Sequence, residues 1–88
     1  MRYVVDAIYL DGYRLHVRFD NGSTKIVDLY PHLDGPICEP LRDITYFKSF
    51  RLDREIDTVV WENGADFSPD FLYEIGQPVS TATRAADQ

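Results

Sequence analysis

Cysteine is nearly absent from this 88-residue sequence, in which Cys38 is the only one. A single cysteine cannot form an internal disulfide, so the fold does not depend on an oxidising compartment. Long apolar runs are also missing: no window approaches the roughly 20 apolar residues that a membrane-spanning helix needs, and the N-terminus lacks the basic segment and apolar run of a secretory signal. We therefore expect a soluble, cytoplasmic protein without a membrane anchor.

Positive charge is scarce as well, because nine basic residues stand against fifteen acidic ones and give a net charge of -6. Such a chain repels nucleic-acid phosphates and anionic lipid unless its positive charge is locally concentrated. We therefore expect no direct nucleic-acid binding and no membrane binding. What the sequence does have is apolar material, at 44% hydrophobic and 14% aromatic residues, which is ample for the core of one small domain.

The first third of the chain has the alternation of an antiparallel meander. Residues 3–10 are apolar on both alternating faces, residues 13–19 alternate strictly between apolar and polar, and residues 23–29 supply a third apolar-rich segment. Asp11-Gly12 and Asn21-Gly22 are turn signals between them. The pattern predicts three strands with one face in water and an opposite face that needs a cover.

The middle of the chain changes character at residues 31–40, where prolines and a glycine predict a crossover loop. Pro40 suits the first position of a helix, and apolar residues three apart predict that this helix runs over residues 40–48 and lies on the sheet. Alternation over residues 50–56 predicts a fourth strand, which turns back into a strand ending at Trp61.

A second helix is predicted from Ser68 to Ile75. Ser68 can cap its first turn, a proline follows the cap, and Gly76 suits a left-handed exit. Residues 77–88 have little to bury and are predicted to be a disordered tail or a truncated linker. We therefore predict one α+β domain over residues 1–76, with an antiparallel sheet and two short helices on one face.

Three motifs in this order are similar to those of a known family. They are VDL at residues 27–29, GPxxxPLRD at residues 35–43 and TVxWxNGADxxPxxLY at residues 58–73. The chain thereby resembles the small bacterial domain-of-unknown-function family 2442. The resemblance implies an α+β domain without an established activity, in some members followed by a helix-turn-helix domain, and suspected of belonging to toxin-antitoxin-like gene pairs. This chain ends before a helix-turn-helix could begin, so the resemblance implies at most a role in binding a partner.

Reactive groups are few. His32, Asp34 and Cys38 share the crossover loop, and His16 could add a fourth metal ligand, but their spacing matches no tetrahedral zinc pattern. Cys38 with His32 is the one nucleophile and base pair close in sequence, although a lone small thiol is more often buried and inert. We therefore predict no catalytic residue, no metal and no cofactor.

Candidate interaction residues are easier to find. Arg14, His16 and Arg18 project from the wet face of the second strand, and Lys25 is expected to lie across from them, which would form a short positive strip. Trp61 is either core or an interface anchor. The candidate set is Arg14, His16, Arg18, Arg42, Trp61, Asn63 and Asp66.

The acidic charge, together with the gene context that the family resemblance implies, predicts a non-enzymatic interaction module, an antitoxin-like partner of a small toxin encoded nearby. An acidic protein complements a basic, RNA-acting one in charge. Two alternatives remain open. One is a small ligand-binding or enzymatic domain that uses the loop from His32 to Cys38. The other is a self-associating domain whose exposed sheet edge pairs with a second copy.

Overall fold

The computed structural model describes residues 2–79 and contains two antiparallel sheets. The elements are β1 (Val4–Asp11), β2 (Arg14–Phe19), β3 (Thr24–Asp28), α1 (Ile44–Phe47), β4 (Arg51–Asp53), β5 (Thr58–Val60), α2 (Pro69–Ile75) and β6 (Gln77–Pro78). The larger sheet has the strand order β1-β2-β3-β6, and the smaller one pairs β4 with β5. Two short 3-10 helices, Tyr30–His32 and Glu39–Arg42, lie between β3 and α1. The predicted α+β class and antiparallel sheet are confirmed.

The core lies between one face of the larger sheet and the segments that follow it. The alternation in β2 buries Leu15, Val17 and Phe19, whose cross-strand partners share the same face. Phe47 of α1 packs edge-on against Tyr9 of β1, and Tyr73 of α2 packs edge-on against Phe19. Both helices therefore cover the same face of the sheet. The opposite face of β1, β2 and β3, the open face, has no helix packed against it in the described residues.

The helix predicted over residues 40–48 is wrong in its length. The chain instead forms the 3-10 turn Glu39–Arg42, an extended residue at Asp43 with φ -76° and ψ 116°, and then α1. The Asp43 carboxylate accepts a hydrogen bond from the Thr45 backbone N–H at 3.0 Å. The Asp43 side chain caps α1, and this hydrogen bond requires an extended backbone at Asp43, so the preceding 3-10 turn cannot continue through it. The single predicted helix is therefore replaced by two short helices.

The fourth strand is also shorter than the predicted range 50–56. Asp53 ends β4, because its carboxylate accepts the Glu55 backbone N–H at 2.8 Å and starts a turn. Asp57, at φ 56°, closes the turn in the left-handed region. The Asp53 hydrogen bond and the left-handed Asp57 both belong to the turn between β4 and β5. The predicted hairpin therefore forms, but with shorter strands.

The helix predicted from Ser68 to Ile75 forms with the predicted cap, since the Ser68 hydroxyl accepts the Phe71 N–H at 3.1 Å. The predicted left-handed exit at Gly76 is wrong, because Gly76 has φ -70° and ψ 147°. The chain continues directly into β6, where Gln77 pairs with Ile26 of β3. The folded sheet thus extends two residues past the predicted domain boundary at Gly76, whereas residues 80–88 of the predicted tail lie outside the described residues.

A buried hydroxyl fixes the approach to α2 and gives a testable stability effect. Thr58 is 3% exposed, and its hydroxyl donates to the Phe67 carbonyl at 2.6 Å. Thr58→Val keeps the shape but leaves that carbonyl without its partner, so we expect a loss of about 1–3 kcal/mol in the free energy of unfolding. Urea denaturation measures this, with Thr58→Ser as the control that keeps the hydroxyl. A valine variant as stable as the wild type would contradict the role given to this bond.

Candidate functional site

An open cleft lies between the loop after Tyr30–His32 and the start of α2. Its volume is about 510 Å³. On the loop side, the Arg42 guanidinium Nε donates to the Leu33 carbonyl at 2.7 Å and ties the loop to the second 3-10 turn. On the helix side, the Ser68 cap and the Thr58 bond fix the chain direction. The lining residues are Pro31, His32, Asp34, Asp66, Phe67, Ser68 and Phe71.

Aromatic rings form the apolar part of this cleft. The rings of Phe67 and Phe71 are parallel to within 16°, with centroids 5.9 Å apart. His32 stands edge-on to Phe71 at 5.0 Å, and Phe67 in turn stands edge-on to the buried Trp61 at 6.0 Å. Phe67 and Phe71 are only half-buried, so each leaves part of its ring exposed. The cleft therefore has an aromatic surface supported from behind by the hydrophobic core.

Two carboxylates supply its charge. Asp34 and Asp66 are exposed, and within residues 2–79 neither takes part in a salt bridge or a side-chain hydrogen bond. Burial raises the pKa of the neighbouring Cys38 thiol, and the negative charges of Asp34 and Asp66 raise it further. Because both carboxylates raise the pKa of the same thiol, Asp34 and Asp66 both lie close to Cys38.

This arrangement bears on the loop predicted as an alternative site. His32 and Asp34 do line the cleft, while Cys38 is not among its lining residues. Across residues 2–79, no three His, Cys, Asp or Glu side chains are grouped so that they could hold a metal ion. A nucleophilic cysteine needs a lowered pKa, and Cys38 is shifted the opposite way. The raised pKa therefore disfavours Cys38 as a nucleophile.

The raised pKa of Cys38 predicts slow alkylation. Only the thiolate reacts, so at pH 8 the folded protein should react with iodoacetamide more slowly than the urea-unfolded chain does. Asp34→Asn/Asp66→Asn should accelerate the folded-state reaction, although modestly, because burial is the larger cause of the shift. The charge-matched control is Glu55→Gln/Glu74→Gln, which alters neither of those carboxylates. An unchanged rate in the aspartate variant would mean that the carboxylates do not act on the thiol.

The predicted positive strip is only partly present. Arg14, His16 and Arg18 do lie on the open face of the sheet, opposite the core residues of β2. The placement of Lys25 beside them is wrong, because Lys25 pairs with Val17 and therefore shares the core face. Its ammonium group donates to the Tyr73 carbonyl at 2.7 Å and lies 3.7 Å from the centre of the Tyr73 ring.

The remaining strip is largely neutralised. The Arg14 guanidinium makes two 2.8 Å hydrogen bonds to the Asp11 carboxylate, which holds the pKa of Asp11 below its usual value. Asp28 is the cross-strand partner of Arg14, and Asp6 is that of Arg18. Acidic groups thus flank both arginines, and the open face offers little free positive charge for gripping a phosphate.

The other predicted interaction residues mostly hold the fold together. Trp61 is 1% exposed and its indole N–H donates to the Phe47 carbonyl at 2.9 Å. The Asn63 side chain donates to the Ile37 carbonyl at 2.8 Å and accepts the Ala65 N–H at 3.0 Å. Arg42 is engaged by its bond to the loop carbonyl. Of the seven predicted residues, only Asp66 lines the cleft.

Sequence reasoning missed the aromatic part of this cleft. Phe67 directly precedes the Ser68 cap and Phe71 lies in the first turn of α2, so the cap places the two rings on either side of the start of the helix. This placement was a usable signal. The approach of His32 and Asp34, more than 30 residues earlier in the chain, depends on tertiary packing and leaves no local signature.

Comparison with known proteins gives one result. The family model described as "Protein of unknown function (DUF2442)" matches residues 4–78, which includes every strand and helix of the described structure. Neither the curated proteins nor the solved structures include a significant match. Within residues 2–79, no helix has the length and apolar character needed to cross a membrane.

Proposed function

We propose, from the premise that this chain belongs to the DUF2442 family of proteins of unknown function, that it is a non-enzymatic interaction module. In this proposal it is the cytoplasmic, antitoxin-like partner of a small basic toxin encoded nearby. The observation that carries the proposal is the cleft, which combines half-buried aromatic rings with two carboxylates that form no salt bridge in the described part of the chain. Aromatic side chains in a concave site are typical anchors of protein interfaces.

Charge supports the same partner. The chain has a net charge of -6, and the cleft adds a local concentration of negative charge. Complementary charge speeds encounter and disfavours partners of the wrong sign. A toxin that acts on RNA needs a basic surface to bind phosphates, so an acidic protein can both attract it and cover that surface.

The groups that would serve catalysis have structural roles, which favours binding over chemistry. The Cys38 thiol is held in its protonated form by burial and by the nearby carboxylates. The Ser68 hydroxyl caps α2, and the His32 ring packs edge-on against Phe71. A small ligand-binding or enzymatic domain remains the second candidate, because His32 and Asp34 line an open cleft. A thermal-shift screen with metals and metabolites tests that candidate, since a ligand of the native state raises its stability.

The proposed function is tested by co-expressing the tagged domain with the untagged product of the adjacent gene. We expect the two proteins to co-purify, and titration calorimetry on the purified components to give a dissociation constant of about 1 μM or tighter, weakening as salt screens the charges. Absence of a complex at tens of micromolar of each protein would contradict the proposal.

Self-association is a different outcome that the same preparations reveal. Edge pairing with a second copy, as the sequence suggested, is disfavoured at β6, because this edge strand is two residues long and contains Pro78. The open face of the sheet is a more favourable surface for self-association. Ile8 is 54% exposed there, and Ile26 lies on the same face, because both pair with His16 across neighbouring strands. Light scattering of the isolated domain distinguishes a monomer from a dimer.

A further inference from the structure

We propose that the cleft binds the guanidinium group of an arginine side chain presented by the protein partner. This inference rests on the proposed function and names the chemistry that the site recognises. It follows from three properties of the cleft that a guanidinium group satisfies together: two stacked, half-buried aromatic rings, two carboxylates that form no salt bridge within residues 2–79, and an opening to solvent.

The aromatic surface favours a planar cation. The rings of Phe67 and Phe71 are stacked, parallel to within 16° with centroids 5.9 Å apart, and each is only half-buried, so a planar group can lie against the exposed part of a ring. A guanidinium group is planar, is more weakly hydrated than an ammonium group and stacks on aromatic faces. A lysine ammonium group is a compact, strongly hydrated point charge that gains less from such a surface. The half-buried aromatic rings therefore favour arginine over lysine.

The carboxylates favour the same group. Asp34 comes from the loop and Asp66 from the segment before α2, so acidic oxygens approach the cleft from two separate segments of the chain. The five N–H donors of a guanidinium group can bond to carboxylates in its plane while its face stacks on a ring. A phosphate or carboxylate ligand would instead meet two negative charges, which excludes anions from this site.

The cleft has room for more than a single arginine side chain. A volume of about 510 Å³ exceeds what one side chain fills, so residues that flank the arginine can also contact the cleft. Free arginine leaves most of this contact unmade. We therefore expect an isolated arginine derivative to bind with millimolar affinity and the folded partner to bind far more tightly.

The test is an NMR titration of the isotopically labelled domain with N-acetyl-arginine N-methylamide, with the matching lysine derivative in parallel. We expect shifts at the amides of residues 32–34, 66–68 and 70–71, and several-fold weaker binding of the lysine derivative. In Asp34→Asn/Asp66→Asn, binding of the arginine derivative should be at least about fivefold weaker, because two exposed charge contacts are lost. The control Glu55→Gln/Glu74→Gln changes the net charge equally, involves no residue that lines the cleft, and should bind as the wild type does.

Equal affinity of the wild type and the aspartate variant, equal affinity for the two derivatives, or shifts confined to other residues would overturn the inference. The partner distinguishes this failure from failure of the proposed function. If the adjacent gene product binds the aspartate variant as tightly as the wild type, the arginine inference is overturned and the interaction module stands. If the arginine derivative binds as expected and no complex with the gene product forms, the cleft assignment stands and the proposed partner is overturned.

Discussion

Replacing Trp61 with alanine is expected to destabilise the domain markedly, by about a third or more of its free energy of unfolding. The indole is 1% exposed and packs against Phe47, Phe50 and Phe67, and its N–H donates to the Phe47 carbonyl at 2.9 Å. Truncating a buried large aromatic side chain costs about 3–5 kcal/mol, and a domain of this size has a total stability of about 5–10 kcal/mol. The free energy of unfolding from urea denaturation is the measurement.

Tyr30→Ala is the matched control for Trp61→Ala, because this aromatic side chain is 57% exposed. We expect it to cost no more than about 1 kcal/mol, since surface substitutions usually have small effects. A loss below about 1 kcal/mol for Trp61→Ala would place the indole outside the core and restore it as an interface anchor. It would also remove the support for Phe67 and thereby for the cleft.

Gly76→Ala is expected to destabilise the domain by about 1–3 kcal/mol, because overpacking at a close contact costs that much. A Cβ at this position would lie 2.8 Å from Lys25 Cβ and 3.0 Å from the Leu72 carbonyl oxygen. Neither atom is the far end of a flexible side chain, so α2 or β6 must move away from β3. Urea denaturation gives the loss, and hydrogen exchange at the Val79 amide, which donates to the Thr24 carbonyl at 3.1 Å, reports on the β6 pairing.

The control for Gly76→Ala is Gly22→Ala, where φ is +87° and nothing lies within 4 Å of the added Cβ. That variant should lose stability through backbone strain alone, without faster exchange at Val79. Gly76 has an ordinary φ of -70°, which alanine can also adopt. Without the steric contact, an alanine would therefore stabilise the protein by about 0.4–1 kcal/mol, because it lowers the conformational entropy of the unfolded chain. A stabilised Gly76→Ala variant would therefore contradict the close packing of α2 against β3.

The elements that could be predicted from sequence are those with local causes. The alternation in β2 and the cap at Ser68 act over a few residues, and both features are present in the structure. The errors arise where a local interaction competes with a pattern. Asp43 interrupts a segment with helical spacing by capping the turn that follows it, and Asp53 ends a strand whose alternation continues.

Other errors arise where one pattern has two physical causes. A glycine after a helix predicts a left-handed exit, yet Gly76 is required because the helix end approaches Lys25 of β3 too closely for a Cβ. Lys25, expected across from Arg14, His16 and Arg18, instead lies on the core face, and its ammonium group reaches the Tyr73 carbonyl. Composition cannot distinguish these cases, because the difference lies in a partner from a distant part of the chain.

The candidate site was predictable only in fragments for the same reason. The sequence places His32 and Asp34 in one loop and Asp66 among the candidate interaction residues, but their convergence depends on how the loop packs against the start of α2. Trp61 connects the core to the cleft, because it packs against the Phe67 ring from within the core while Phe67 lines the cleft. The stability of the core and the shape of the site are therefore coupled.

The central claim is that this domain binds a basic protein partner at the cleft between residues 31–34 and 66–71. The most direct test is a map of backbone amide shifts of the labelled domain upon addition of the adjacent gene product. The account predicts that the largest shifts occur at His32, Asp34, Asp66, Phe67 and Phe71. The largest shifts at Ile8, His16 and Ile26, on the open face of the sheet, would contradict it.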